Sequence, residues 1–201
     1  FISAYNGEKS ASAICEFSDL RKYALQLLVD DDGNPTQIAL EEQKKYKHIF
    51  VDEYQDTDAI QDLVFNTISN GSNLFFVGDI KQSIYRFRSA EPEIFSYYRE
   101  NFTKSKEYTE GCLGKSIFMS TNFRCDKNII DFSNLVSNYM FKNSIGIPYA
   151  KEDELQFPSE IKDSSKDKIT EIHLLDGSEI EEKKIEVQAD YVARRIKKMI
   201  D

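Results

Sequence analysis

Hydrophobic and polar positions alternate along this chain in two rhythms. Phe17, Leu20, Tyr23, Ala24, Leu27 and Leu28 recur at helical spacing, with Ser18 or Asp19 placed to cap the helix. Asp30-Asp31-Asp32-Gly33-Asn34-Pro35 is a strong turn that ends it. Ile38 to Lys47 reads as a short charged helix, whereas Phe1 to Ser12 is polar without a clear period. Ile49-Phe50-Val51 then forms an apolar run that stops at Asp52-Glu53, as expected of a buried central strand delivering acids to its C-terminal edge. Ile60, Leu63, Val64, Phe65 and Ile68 predict an amphipathic helix closed by Asn70-Gly71. Leu74-Phe75-Phe76-Val77 is a second apolar strand, ending in Gly78-Asp79. Strand, helix and strand joined by tight turns make the pattern of a parallel sheet, and hence an α/β fold.

Further along, Glu91-Pro92 opens a helix, with proline acceptable in its first turn. Ser116 to Met119 predicts a third strand running into Asn122-Phe123-Arg124. Ile129, Ile130, Phe132, Leu135, Val136, Tyr139 and Met140 predict a helix with one buried face. Residues 146–168 are rich in Glu, Asp, Lys, Ser and Pro and read as a linker or surface excursion. Ile169 to Leu175 alternates as a strand, and Ile180 to Ile200 predicts a long amphipathic helix.

Composition narrows the class. The 201 residues are 40% hydrophobic, enough for one ordinary core or one and a half small domains. A net charge of −9 argues against a simple basic nucleic-acid patch, though a local groove can still be basic. Cys15, Cys112 and Cys125 are isolated, and with His48 and His173 they form no zinc pattern; a reducing cytoplasm is expected. No apolar run has the length of a membrane span, so no membrane partner is expected. The first residue is Phe1 rather than Met, so an excised or processed piece is expected.

The chemistry gathers at strand ends. In an open α/β sheet the C-terminal strand edge is where ligands bind. One carboxylate there can hold Mg²⁺, and the next can orient or deprotonate an attacking water. The bland alternative for Asp52-Glu53 is a strand ending in a solvated acidic turn. After the second strand, Gly78 allows a tight turn or a close backbone approach, and Gln82 can both donate and accept towards a phosphate or a water. Tyr85, Arg86, Phe87 and Arg88 interleave rings with guanidinium groups, the composition of a single-strand-binding surface. Equally, Tyr85 and Phe87 could pack in the core while the arginines pair with surface acids. Arg124, at the end of the third strand, could reach a γ-phosphate, and Phe123 could stack on a base.

These segments carry a family likeness. Val51-Asp52-Glu53-Tyr54-Gln55-Asp56-Thr57-Asp58 resembles motif II (Walker B) of UvrD/RecB-type superfamily 1 helicases. The stretch from Gly78 to Ala90 resembles their motif III, and Thr121 to Ile130 their motif IV, in the family's order. With Ala90-Glu91-Pro92 following motif III, the chain is most similar to the AddA (RexA) group, the helicase–nuclease subunits of bacterial double-strand-break repair. The resemblance implies a partial RecA-like (P-loop NTPase) parallel sheet flanked by helices. Residues 1–145 would be the later part of a first motor domain, 146–168 a linker, and 169–201 the opening strand and helix of a second RecA-like domain. It implies Mg²⁺ and ATP as cofactors, with Asp52 on Mg²⁺, Glu53 as general base, and Gln82 and Arg124 at the γ-phosphate. Phe123 would stack on adenine, and Tyr85, Phe87 and Arg88 would meet single-stranded DNA. Single- and double-stranded DNA and an AddB/RexB-type nuclease subunit would be the partners. The family often has Trp where this chain has Phe87. There is no G-x-x-x-x-G-K-[ST] phosphate loop, and motifs V and VI are absent, so the chain alone is expected to be inactive. Two other readings stand beside this one: a non-catalytic DNA- or protein-binding module, and a metal-dependent nuclease using Asp52, Glu53 and Asp56.

Overall fold

The computed structural model describes residues 2–104, 113–141, 149–163, 170–176 and 184–200. They group into two compact units, Phe1–Ser120 with Ser137–Glu154, and Thr121–Val136 with Leu155–Asp201.

The first unit opens with α1 (Ile2–Ala11), followed by α2 (Phe17–Leu28) and α3 (Gln37–Lys45). The segment read as aperiodic is thus a helix. It lacks an apolar stripe because it has no buried residue, and a helix that covers nothing leaves no period to read. Glu16, not Ser18 or Asp19, is the cap residue of α2; Asp19 serves instead as the third-position partner, accepting from Glu16 N–H at 2.9 Å. The acidic turn forms as expected, with Gly33 at φ +83° and the Asp30 carboxylate accepting from Asn34 N–H at 2.7 Å.

Strands β1 (Ile49–Val51) and β2 (Leu74–Phe76) pair in parallel, with Phe50 opposite Phe75. They are joined by α4 (Ala59–Thr67), a right-sized crossover for parallel neighbours. Asp58 caps α4, accepting from Gln61 N–H at 2.8 Å while Gln61 Oε1 accepts from Asp58 N–H, and Arg21 of α2 donates to the same carboxylate. Ile49, Val51, Leu74 and Phe76 lie on the half-covered face. The opposite face is bare: Phe50 is 72% and Phe75 48% exposed, their rings 5.6 Å apart. The expected strand buried on both sides is therefore a strand partly covered on one side, with the second side largely open among the described residues.

The core sits at the C-terminal end of this sheet. Tyr54, fully buried, stacks on Phe76 with ring centroids 3.9 Å apart, and Phe95 and Tyr98 of α5 (Pro92–Asn101) close around it. Its hydroxyl donates to Asp62, which also accepts from Tyr98 Oη at 2.9 Å, so the buried polar ends are satisfied. Burial foremost, and then Asp62, push the Tyr54 phenol well above its ordinary range. A partly buried ion pair ties α5 to the turn Lys151–Asp153: Arg99 meets Asp153 in a two-pronged contact at 2.9 and 2.6 Å.

Ser116–Met119 is not a strand; among the described residues only an isolated bridge between Thr103 and Lys115 borders it. In the second unit, Thr121 bridges Gln156, and Asn134 accepts from Leu155 N–H at 2.9 Å. Helix α6 (Lys127–Phe141) buries Ile130, but Leu135, Tyr139 and Met140 stay exposed, so its apolar face is only fractionally covered. Residues 170–176 form no strand, and Ile169 lies outside the described residues. Helix α7 (Lys184–Ile200) occupies the end of the chain; residues 180–183 also lie outside the described set.

Candidate functional site

Chain geometry at the end of β1 is unusual. Glu53 adopts φ 51°, ψ 41°, a left-handed conformation uncommon for a residue with a side chain. The flanking bonds hold it there: Glu53 N–H donates to Asp52 Oδ1 at 2.9 Å, and Tyr54 N–H to Val77 O at 2.8 Å. The bend turns Asp52 and Glu53 out to solvent, while Tyr54 and Gln55 next to them are buried. Strain of this kind persists where packing over-determines it, and it concentrates at functional positions.

Gln55 reaches between the two strand ends. Its Nε2 donates to Glu53 Oε2 at 2.6 Å, and its Oε1 accepts from Asp79 N–H at 2.9 Å. Asp79 in turn caps the short turn Ile80–Gln82, accepting from Lys81 N–H at 3.0 Å and from Gln82 Nε2 at 3.0 Å. Glu53 and Gln82, separate in sequence, are therefore joined by one hydrogen-bonded chain through Gln55 and Asp79. Burial works to raise the Asp79 carboxyl, but hydrogen bonds from Lys81 and Gln82, with the Lys81 charge 2.9 Å away, hold it below the usual range. Asp56 shifts the opposite way: burial, then the Glu53 charge, raise it, and its Oδ1 is buried without a partner among the described residues.

The donor set bears on the implied metal. Among the described residues no three His, Cys, Asp or Glu side chains converge. The three-carboxylate nuclease reading of Asp52, Glu53 and Asp56 therefore has no cluster to support it. Mg²⁺ suits a single protein carboxylate, because it keeps several waters and takes substrate phosphates as ligands. Solvent-facing Asp52 fits that role.

The Tyr85–Arg88 stretch is a surface, not core. Phe87 is 77% exposed, its ring 5.8 Å from that of Tyr85, and the Arg88 guanidinium lies over both rings at 5.4 and 5.6 Å. The bland alternative holds for Arg86 alone, which pairs with Glu93. In the second unit, Phe123 is 73% exposed, and Asn122 Oδ1 accepts from Arg124 N–H at 2.8 Å and Cys125 N–H at 3.0 Å, folding Phe123 and the exposed Arg124 into a tight turn ahead of α6.

Sequence reasoning missed Gln55, Asp79 and Lys81 as linking residues. The one signal for them was Gly78, whose missing side chain leaves room for Gln55. Cys15 and Cys125 are free thiols, and Cys112 lies outside the described residues. No helix among the described residues is long and apolar enough to cross a membrane.

Comparison with known proteins agrees with the family likeness. Residues 1–103 match the UvrD/REP helicase N-terminal domain. Over 208 aligned positions the chain is 35% identical to the A subunit of the ATP-dependent helicase/nuclease of Staphylococcus haemolyticus, covering 100% of this chain and 17% of that protein. It is 38% identical over 149 positions to the protein of the same name from Staphylococcus aureus strain JH9, covering 72% of this chain and 12% of the relative. With the strand-end acids, the linked glutamine turn and half the chain matched in one family, the conclusion is direct: the chain belongs to the UvrD/REP helicase family.

Proposed function

We propose that this chain is part of the motor of an ATP-dependent DNA helicase, of the kind named for its relatives' helicase/nuclease, with a RecA-like sheet beginning at β1 and β2. Residues 1–145 would form the later part of a first motor domain, 146–168 a linker and 169–201 the opening of a second. The observation that carries this reading is the hydrogen-bonded chain from Glu53 through Gln55 and Asp79 to Gln82. A solvated acidic turn has no use for a buried amide bracing its carboxylate against the next strand end.

Asp52 would hold Mg²⁺ on the nucleotide, and the metal would supply charge neutralisation at the phosphates. Glu53, exposed and anchored on one oxygen, would accept the proton of the attacking water. Gln82 would orient that water or report the phosphate state to its turn. Phe123 and Arg124 would stack on the base and offer a cation to the γ-phosphate. Tyr85, Phe87 and Arg88 would give single-stranded DNA two rings and a guanidinium on which bases stack. Double-strand-break repair, a cytoplasmic setting and an AddB/RexB-type nuclease partner complete the proposal; the name of the relatives supports a multi-subunit assembly.

The test is DNA-dependent ATP hydrolysis by the full-length parent, beside its Glu53→Gln variant. The variant is expected to lose about a hundredfold or more in kcat while still binding nucleotide. Equal inactivity of both, with DNA binding intact, would favour a non-catalytic binding module instead.

A further inference from the structure

Gln55 is 1% exposed and makes three specific bonds. Its partners settle its orientation: the Glu53 carboxylate can only accept, so it faces the NH₂, and the Asp79 N–H can only donate, so it faces the carbonyl. The backbone carbonyl of Gln55 adds a third bond, accepting from Ser83 Oγ at 3.3 Å. Glu53 and both ends of the 79–83 turn are thus tied to one buried residue.

Of the two polar partners of the Gln55 side chain, Asp79 N–H is a partly buried donor that needs an acceptor, but nothing in general stability requires the bond to Glu53, whose exposed carboxylate water could serve. One of those partners is the exposed carboxylate of Glu53, held on a left-handed backbone. The other is the N–H of the residue whose carboxylate fixes Gln82. Gly78 completes the arrangement, since a Cβ there would stand 2.5 Å from Gln55 Oε1.

From these contacts we infer that Gln55 is a positioning residue. It fixes the Glu53 carboxylate and makes its position depend on the 79–83 turn, so that Gln82 and Glu53 shift together rather than independently. This rests on the reading of Glu53 as general base and Gln82 as phosphate reporter. Gln55 itself touches no reacting atom.

The experiment uses the full-length parent protein and compares wild type with Gln55→Met, Gln55→Glu and Glu53→Gln. Met keeps the volume and removes both side-chain bonds. Glu keeps an acceptor for Asp79 N–H and sets a carboxylate against Glu53. Measured are kcat and KM for ATP, the ratio of turnover with and without single-stranded DNA, DNA affinity, and the thermal unfolding midpoint. Both Gln55 variants are expected to lose about ten- to a hundredfold in kcat, and most of the DNA stimulation, with KM and DNA affinity within about twofold of wild type. Two results would overturn the inference: wild-type kcat and stimulation in both variants, or a loss that follows the unfolding midpoint and the fraction of protein able to bind nucleotide. Should Met lower the midpoint, the isosteric Glu variant decides. Undiminished turnover by Glu53→Gln is a separate result, which removes the general-base reading itself.

Discussion

At position 78 a single added carbon would meet three atoms at once: Gln55 Oε1 at 2.5 Å, a Phe95 ring carbon at 3.0 Å and Tyr54 N at 3.1 Å. None belongs to a freely moving side chain, because Gln55 is held at both ends and Tyr54 N–H is bonded to Val77 O. Gly78→Ala is therefore expected to cost about 1–3 kcal/mol through forced repacking, and to break the Gln55–Asp79 bond before the core gives way. Urea unfolding of the parent protein reads the first effect, and loss of DNA-stimulated turnover the second; a neutral Gly78→Ala would mean the close approach is not needed. At this scale the sequence was readable in part. Asp52 and Glu53 stand out as acids that stop an apolar run, and Gly78 as a place for close approach. Gln55 does not stand out, because its partner Asp79 lies 24 residues away and meets it only once two strands pair in register.

Elements follow the same division. Helices α2 and α4 are legible because a covered face imposes a period on the sequence, α3 and α5 through their charge and the Glu91-Pro92 start, and β1 and β2 as short apolar runs that stop at acids or at glycine. Helix α1 covers nothing and so leaves no period, and Ser116–Met119 has strand-like residues without strand partners among the described residues. The turn Lys151–Asp153 lies within the stretch whose composition reads as a linker or surface excursion, and there Asp153 pairs with Arg99 in a partly buried contact and lies 3.9 Å from Lys81. Composition cannot report an ion pair between residues 54 positions apart. The turn Arg86–Arg88 gives the sharpest prediction at this scale. Phe87 is solvent-facing and contributes little to the core, so Phe87→Ala should leave stability within about 0.5 kcal/mol of wild type. Against single-stranded DNA it should lose about 1–3 kcal/mol, the range of one base–aromatic stack. Titration of a labelled single strand, run beside thermal unfolding, separates the two; a variant that unfolds early but binds normally would return Phe87 to a structural role.

At the scale of the whole molecule, the two-stranded sheet is the telling feature. Its end carries the candidate catalytic acids, but one face, with Phe50 and Phe75, is bare. The chain carries no G-x-x-x-x-G-K-[ST] run whose backbone amides and lysine could cradle the β- and γ-phosphates. Its net charge of −9 adds a repulsive background for a polyphosphate. Asp52 can contribute a metal ligand, but a metal–nucleotide held by one exposed carboxylate has few contacts from which to gain affinity. The 201-residue chain by itself should therefore bind ATP weakly and turn it over no faster than buffer, with or without single-stranded DNA. The measurement is steady-state phosphate release by the purified chain, with circular dichroism confirming that helices and sheet are formed, beside the full-length parent under the same conditions. Turnover by the parent and none by the chain would place the phosphate-binding elements outside these residues and leave Glu53, Gln55 and Gln82 as a catalytic edge awaiting its substrate. DNA-stimulated turnover by the chain alone would mean that the strand ends described above bind and activate the nucleotide without a phosphate loop.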